Sequence, residues 1–243
     1  ERFPATIELV IPAAIIALLI GIYGGTLAAS KRKKFTDYAF RIYAVVIYSL
    51  PIFWLGLMLQ LLFGVKLGWL PISGRIDPII GTTLKTYTNI YFIDSLVSGN
   101  WAAFGSVCLH LILPTFTLGL IESGLFVRMT RANVIETLQA DFIGAARARG
   151  ISEKVLVYGH ALKNAMIPVI TIIGLQVAIL LAGAVLTESV FSWPGMGSYL
   201  VQRITARDYT AVQSVITVFA MLVALISLAV DVIYSLVDPR VRY

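Results

Sequence analysis

The stretch Asp141-Phe-Ile-Gly-Ala-Ala-Arg-Ala-Arg-Gly150, continued by Ile151-Ser-Glu-Lys154 and a helical run to Asn164, decides how the chain reads. It is the longest polar-rich interval between two strongly apolar ones. Asp141 is placed to cap a short helix from Phe142, and Gly150 to end it in a left-handed conformation. Arg147 and Arg149 fall in the last turn, where cations suit the helix dipole. Ser152 is placed to cap the next helix, with Glu153 in its first turn. Ala145, Ala146 and Ala148 give the first helix little bulk, so another surface can approach it closely. The unit reads as a docking element on the inner side of a membrane protein.

Composition supports the membrane. The 243 residues are 58% hydrophobic and 13% charged, against about 25% charged in a soluble domain. Mean hydropathy is +0.87. The net charge of +6 comes from basic residues clustered between apolar spans, which is an orientation signal and not a nucleic-acid face. One cysteine, Cys108, allows no internal disulfide and no cysteine cluster for zinc. Residues Glu1-Arg-Phe-Pro4 lack the features of a signal peptide.

Outward from the docking unit, five stretches are long enough to cross a bilayer core of about 30 Å. They run from about Ile7 to Ala29, Tyr38 to Val65, Ser106 to Met129, Ala165 to Leu186 and Ala211 to Val237. Pro51 predicts a kink inside the second. The interval from Lys66 to about Gly105 is too polar to span, and a short amphipathic helix is expected near Ile90–Val97. Trp193-Pro-Gly-Met-Gly197 leads to a short helix near Ser198–Thr205.

Lys and Arg set the orientation. Lys31, Arg32, Lys33, Lys34, Arg41, Arg128, Arg131, Arg147, Arg149, Lys154, Lys163, Arg240 and Arg242 fall on one side. Arg2, Lys66, Arg75, Lys85, Arg203 and Arg207 fall on the other. The richer side is expected in the cytoplasm, with the docking unit and the C-terminus. The first residue is then outside, and a further span is expected before it.

Several passages resemble one family. Gly144-Ala-Ala-Arg-Ala-Arg-Gly150 is similar to the cytoplasmic signature of binding-protein-dependent ABC importer permeases: Glu-Ala-Ala, three residues, Gly, nine residues, Ile-x-Leu-Pro. Gly144 stands at the Glu position, and His160 and Lys163 at those of Ile and Pro; Leu162 matches. The string from Arg131 to Pro168 resembles the oligopeptide, dipeptide and nickel branch, which departs in the same places. So do Ser49-Leu-Pro-Ile-Phe-Trp54, Leu67-Gly-Trp-Leu-Pro71, Glu188-Ser-Val-Phe-Ser-Trp-Pro-Gly-Met-Gly197 and Asp238-Pro-Arg-Val-Arg-Tyr243. The Gly81–Asn100 region does not match.

The resemblance implies an all-α polytopic membrane protein of the type I ABC importer fold. Five transmembrane helices are expected here, with a sixth N-terminal one before them. Residues 1–243 would form one permease domain of the cell membrane. Its cytoplasmic coupling region would cover about 130–164, and its external loops about 66–105 and 188–210. Implied partners are a second permease, two cytoplasmic ATPases and an extracytoplasmic binding protein, all around membrane lipid. ATP and Mg would be bound by the ATPases, because no Gly-x-x-x-x-Gly-Lys-Ser/Thr loop stands in this chain. The chain itself would hold no cofactor, metal or catalytic residue. Asp141, Gly144, Ala145, Ala146, Arg147, Arg149, Gly150 and Leu162 would couple to the ATPase. Peptides are the expected cargo; oligosaccharides and nickel are the alternatives within the branch.

Further readings come from individual residues and one loop. Glu122, inside the third span, costs about 2.5–3.5 kcal/mol at a bilayer centre. It is expected either to line the translocation path or to pair, for instance with Arg128. Trp193, Pro194, Gly195 and Gly197 are expected to form an external gate or a binding-protein contact, with Trp193 at the membrane interface. Asp231, Cys108, His110 and His160 read as packing residues. A proton-coupled secondary transporter using Glu122 and Asp231 is the rival class; a membrane enzyme lacks a catalytic motif.

Overall fold

The computed structural model describes residues 2–237, and their side chains except some within 167–183 and 230–237. Asp238 to Tyr243, with Arg240 and Arg242, lie outside the described residues, as does the side chain of Asp231. Every element among the described residues is helical. The longest helices form where apolar sequence is continuous. They are α1 (Arg2–Ser30), α6 (Trp101–Leu138), α9 (Leu162–Val190) and α11 (Tyr209–Val237).

Among the described residues, α1, α6 and the Tyr209–Ala229 part of α11 are long and apolar enough to cross a membrane. The expected span near Ala165–Leu186 falls inside α9, which has 29 residues. Only 6% of the apolar window of α11 is buried, against 44% for α1 and α6. The described residues therefore leave most of this α11 window uncovered.

The second expected span is not one helix. It forms α2 (Phe35–Ser49) and α3 (Ile52–Leu59), the latter running on as a π-helical turn over Gln60–Lys66. The two parts bend by 102°. Pro51 has no N–H for the ladder and keeps Leu50 out of the helical region. The Ser49 hydroxyl closes α2 by donating to the Val46 carbonyl at 2.8 Å. The expected kink is thus a corner, which gives a fourth candidate crossing only if the bent pair counts as one.

Short helices fill the connections: α4 (Pro78–Gly81), α5 (Tyr91–Val97), α7 (Asp141–Ala148), α8 (Glu153–Val155) and α10 (Met196–Thr205). A second π-helical turn, Leu156–Ala161, joins α8 to α9.

Two compact units emerge. The first comprises the described residues of Glu1–Ile15, Leu50–Gly119 and Ile179–Leu222. Its polar interior gathers at the first turns of α1. Glu8, 4% exposed, pairs with Arg75 at 2.5 Å and accepts from the Phe92 N–H at 2.6 Å. Arg75 also donates to the Asn89 carbonyl at 2.6 Å and stacks 3.8 Å from the Tyr91 ring centre. A buried pair persists when its hydrogen-bonding capacity is filled in this way. Gln60 donates to the carbonyls of Ile72 and Val190, at 2.6 and 3.1 Å.

The second unit comprises the described residues of Ile16–Ser49, Leu120–Ala178 and Val223–Tyr243. Here α1 and α6 touch backbone to backbone. A Cβ on Gly21 would lie 2.2 Å from that of Phe126, and one on Gly25 only 2.7 Å from the Val127 carbonyl oxygen. Small residues four apart allow this approach, which dispersion rewards within a membrane. Arg131 of α6 donates twice to Asp37 of α2, at 2.6 and 2.9 Å, and the Lys33 N–H adds a third bond at 3.0 Å. Tyr43 and Ser123 bond at 2.6 Å.

Candidate functional site

Helix α7 is planted by one face and bare on the other. Ile143 and Ala146 are buried, at 0% and 3% exposure, and Ile143 joins a cluster with Ala29, Val134, Ala161 and Ala165. Leu162 packs against this cluster. The ends of α1 and α6 and the start of α9 therefore meet under one short helix. Asp141, Gly144, Ala145 and Ala148 are exposed and recur on the opposite side at helical spacing. Nothing lies within 4 Å of where a Gly144 Cβ would stand. The flat outward face is thus made by Gly144, Ala145 and Ala148, while Ala146, expected on it, serves the chain's own core.

The helix begins one residue earlier than expected. Asp141 does not cap it: Ala140 is the N-cap, extended at ψ 148°, and makes no side-chain capping bond. Its carbonyl takes the N–H groups of Ile143 and Gly144, at 3.0 and 3.3 Å. Asp141 instead lies in the first turn, where its charge suits the dipole. Ser152 holds the N-cap position of α8 but makes no capping bond.

The C-terminal end is as expected. Gly150 has φ +81°. Its N–H bonds to the Arg147 carbonyl at 3.0 Å, and that of Ile151 to Ala146 at 3.3 Å. This doubly bonded stop requires a left-handed residue. Arg149 stands just before it as the C-cap. Arg147 crosses the turn to Glu153 at 2.5 Å. The Arg147 guanidinium holds the Glu153 carboxyl below its usual 4.5, so any stability this pair gives is present above that value and is lost as the pH falls through the lowered one.

Three exposed large hydrophobic side chains stand in α7 and the turns that follow it. Phe142, Val155 and Tyr158 are 46%, 49% and 40% exposed. Sequence reading missed Phe142. Its signal was an aromatic residue beside Ile143 in a polar interval: one of the two turns inward, and the other is left over.

Glu122 is 8% exposed in α6. The expected partner is elsewhere, because the Arg128 guanidinium lies 5.1 Å from the Tyr48 ring centre. No hydrogen bond or ion pair of Glu122 appears among the described residues.

The loop Trp193–Gly197 belongs to the first unit and is not an interfacial anchor. Trp193 is 0% exposed, and its indole N–H donates to the Ala5 carbonyl at 2.8 Å. The loop is wrapped around Glu188, also 0% exposed, which sequence reading passed over. Glu188 accepts from the Thr6 hydroxyl at 2.6 Å and from the Ser198 N–H at 2.9 Å, so it caps the start of α10 from another helix. A Cβ on Gly195 would stand 2.1 Å from the Glu188 Oε1, and one on Gly197 would stand 2.5 Å from Val185. These glycines are needed for close approach, with Gly195 at an ordinary φ of −90°. Pro194 is half-buried beside them. His110 is tied to its own helix through Nδ1 and the Ser106 carbonyl, 2.8 Å apart.

Comparison with known proteins follows the same lines. Residues 21–243 match the model of the binding-protein-dependent transport system inner membrane component. The chain is 46% identical over 241 residues to a di/tripeptide transport system permease protein, DppB, of Pseudomonas aeruginosa, covering 99% of this chain and 71% of that one. It is 43% identical to the dipeptide transport system permease protein DppB of Escherichia coli over 243 residues, 100% of this chain and 72% of that one. The peptide transport system permease protein SapB of Salmonella typhimurium is 37% identical, with 98% and 75% covered. In fold it resembles the inward-facing MetNI methionine ABC transporter, at a TM-score of 0.69 and 18% identity over 96% of this chain and 93% of that chain.

Proposed function

The chain belongs to the family of binding-protein-dependent transport inner membrane components, and we propose that it is the permease subunit through which an ATP-driven importer passes di- and oligopeptides. It is the non-catalytic membrane subunit; nucleotide is handled by partner ATPases. The peptide reading is supported by the identity to DppB relatives over nearly the whole chain.

Helix α7 is the contact through which work arrives, with its small face seated on an ATPase and Phe142 as an apolar anchor beside it. The observation that carries this is the planting of α7 on a core shared by α1, α6 and α9. A push on α7 must move the ends of three long helices together. The spans then alternate between outward- and inward-facing states, and the partners bias that equilibrium through their differential contacts. The side bearing α7 and the C-terminus is the cytoplasm, following the lysine and arginine bias. On that side α9 completes the set of five crossings, both compact units serve one permease domain, and a second permease covers part of α11. Glu122, buried and with no hydrogen-bond or ion-pair partner among the described residues, faces the path and attracts the peptide amino group. Of the Trp193–Gly197 loop, the half-buried Pro194 is left to meet the substrate-loaded binding protein, while the rest is buried on Glu188.

The test is uptake of a labelled dipeptide by proteoliposomes holding the whole transporter and its binding protein. Uptake should stop on ATP depletion and persist with a protonophore. The reverse pattern would transfer the chain to the proton-coupled class.

A further inference from the structure

Helix α5 is inside out. Phe92, Ile93, Leu96 and Val97 are exposed, Val97 by 69%, while Asp94 and Ser95 are buried. The Asp94 carboxylate turns inward and accepts from the N–H and hydroxyl of Thr88, at 2.9 and 2.8 Å. A helix facing water shows the opposite arrangement, so an apolar medium covers this one. Tyr87 and Trp101 flank it, 64% and 71% exposed. Such residues favour the level of lipid headgroups.

Between α5 and the first turns of α1 lies a groove of about 480 Å³, walled by Ile7, Ile11, Ile15, Phe92, Ile93 and Leu111. Its one carboxylate, Glu8, is already engaged by Arg75 and the Phe92 N–H. Among the described residues only the weakly polar Cys108 thiol is left there, which gives a peptide no charged or strongly polar partner. Ile11 and Ile15, 55% and 51% exposed, carry the groove onto the open face of a membrane-crossing helix. The groove is therefore continuous with the lipid-facing surface and matches it in chemistry. We infer that α5 lies in the membrane interface and that the groove behind it holds an acyl chain of a phospholipid. The polar segment around it, too polar to span, is then moored to the bilayer by its own inverted helix.

The test uses the assembled transporter in phospholipid nanodiscs, in a cysteine-free background. Nitroxides are attached to cysteines replacing Ile11, Ile93 or Val97, one at a time. At all three sites collisions with dissolved oxygen should exceed those with a water-soluble nickel chelate. A phospholipid spin-labelled on its acyl chain should broaden the signal at Ile11. Access to the chelate would mean water covers the helix, and access to neither would mean a protein segment fills the groove; either result overturns the proposal.

Discussion

Gly150 makes a specific demand on the backbone of the docking unit. At φ +81° it needs no compensation, whereas a β-branched residue would be strained by about 1–2 kcal/mol. Gly150→Val is expected to abolish peptide uptake while the ATPase still binds nucleotide; Gly150→Asn, which tolerates that conformation, should retain much of it. Uptake and nucleotide binding measured on the same preparations check both. Phe142→Ala should weaken association with the ATPase by about 2 kcal/mol, the range of an interface anchor, and leave folding intact because the side chain is 46% exposed. A titration of permease in nanodiscs with purified ATPase reads this directly. Glu122→Gln is expected to lower uptake without changing the thermal unfolding of the complex. Unchanged rate and affinity would remove Glu122 from the path.

Helix packing supplies the next scale. Gly21→Leu places side-chain atoms where Phe126 already stands 2.2 Å from a Cβ, and overpacking of this kind costs about 1–3 kcal/mol. The detergent-solubilised complex should unfold at lower temperature, which a thermal melt records. Most of these elements were legible in the sequence. Uninterrupted apolar runs gave the long helices, and the Gly150 stop was visible because a glycine after a basic turn has a local meaning. Pro51 marked its corner but not the 102° angle, which depends on what α3 packs against. Glu188 was passed over and Trp193 misread for a different reason. Their partners, Thr6 and Ala5, are more than 180 residues away, and no local pattern encodes a hydrogen bond across that distance. Arg75, read only as an orientation charge, is likewise buried against Glu8 and Tyr91. The capping role of Asp141 failed by one residue, a common shift at a helix end.

At the scale of the molecule, the second compact unit carries a small planted helix, α7, with one face bare. The account turns on that helix being a socket for force generated elsewhere. The exposed Ala145 offers the most direct probe, since a cysteine there adds only a thiol to the outward face. In the whole transporter, with other cysteines removed from the permease, Ala145→Cys should cross-link to a cysteine in the ATPase groove, and the yield should change when ATP is added. A residue at 145 that reacts only with reagents applied from outside the cell, or that never cross-links to a nucleotide-binding subunit, would contradict the account.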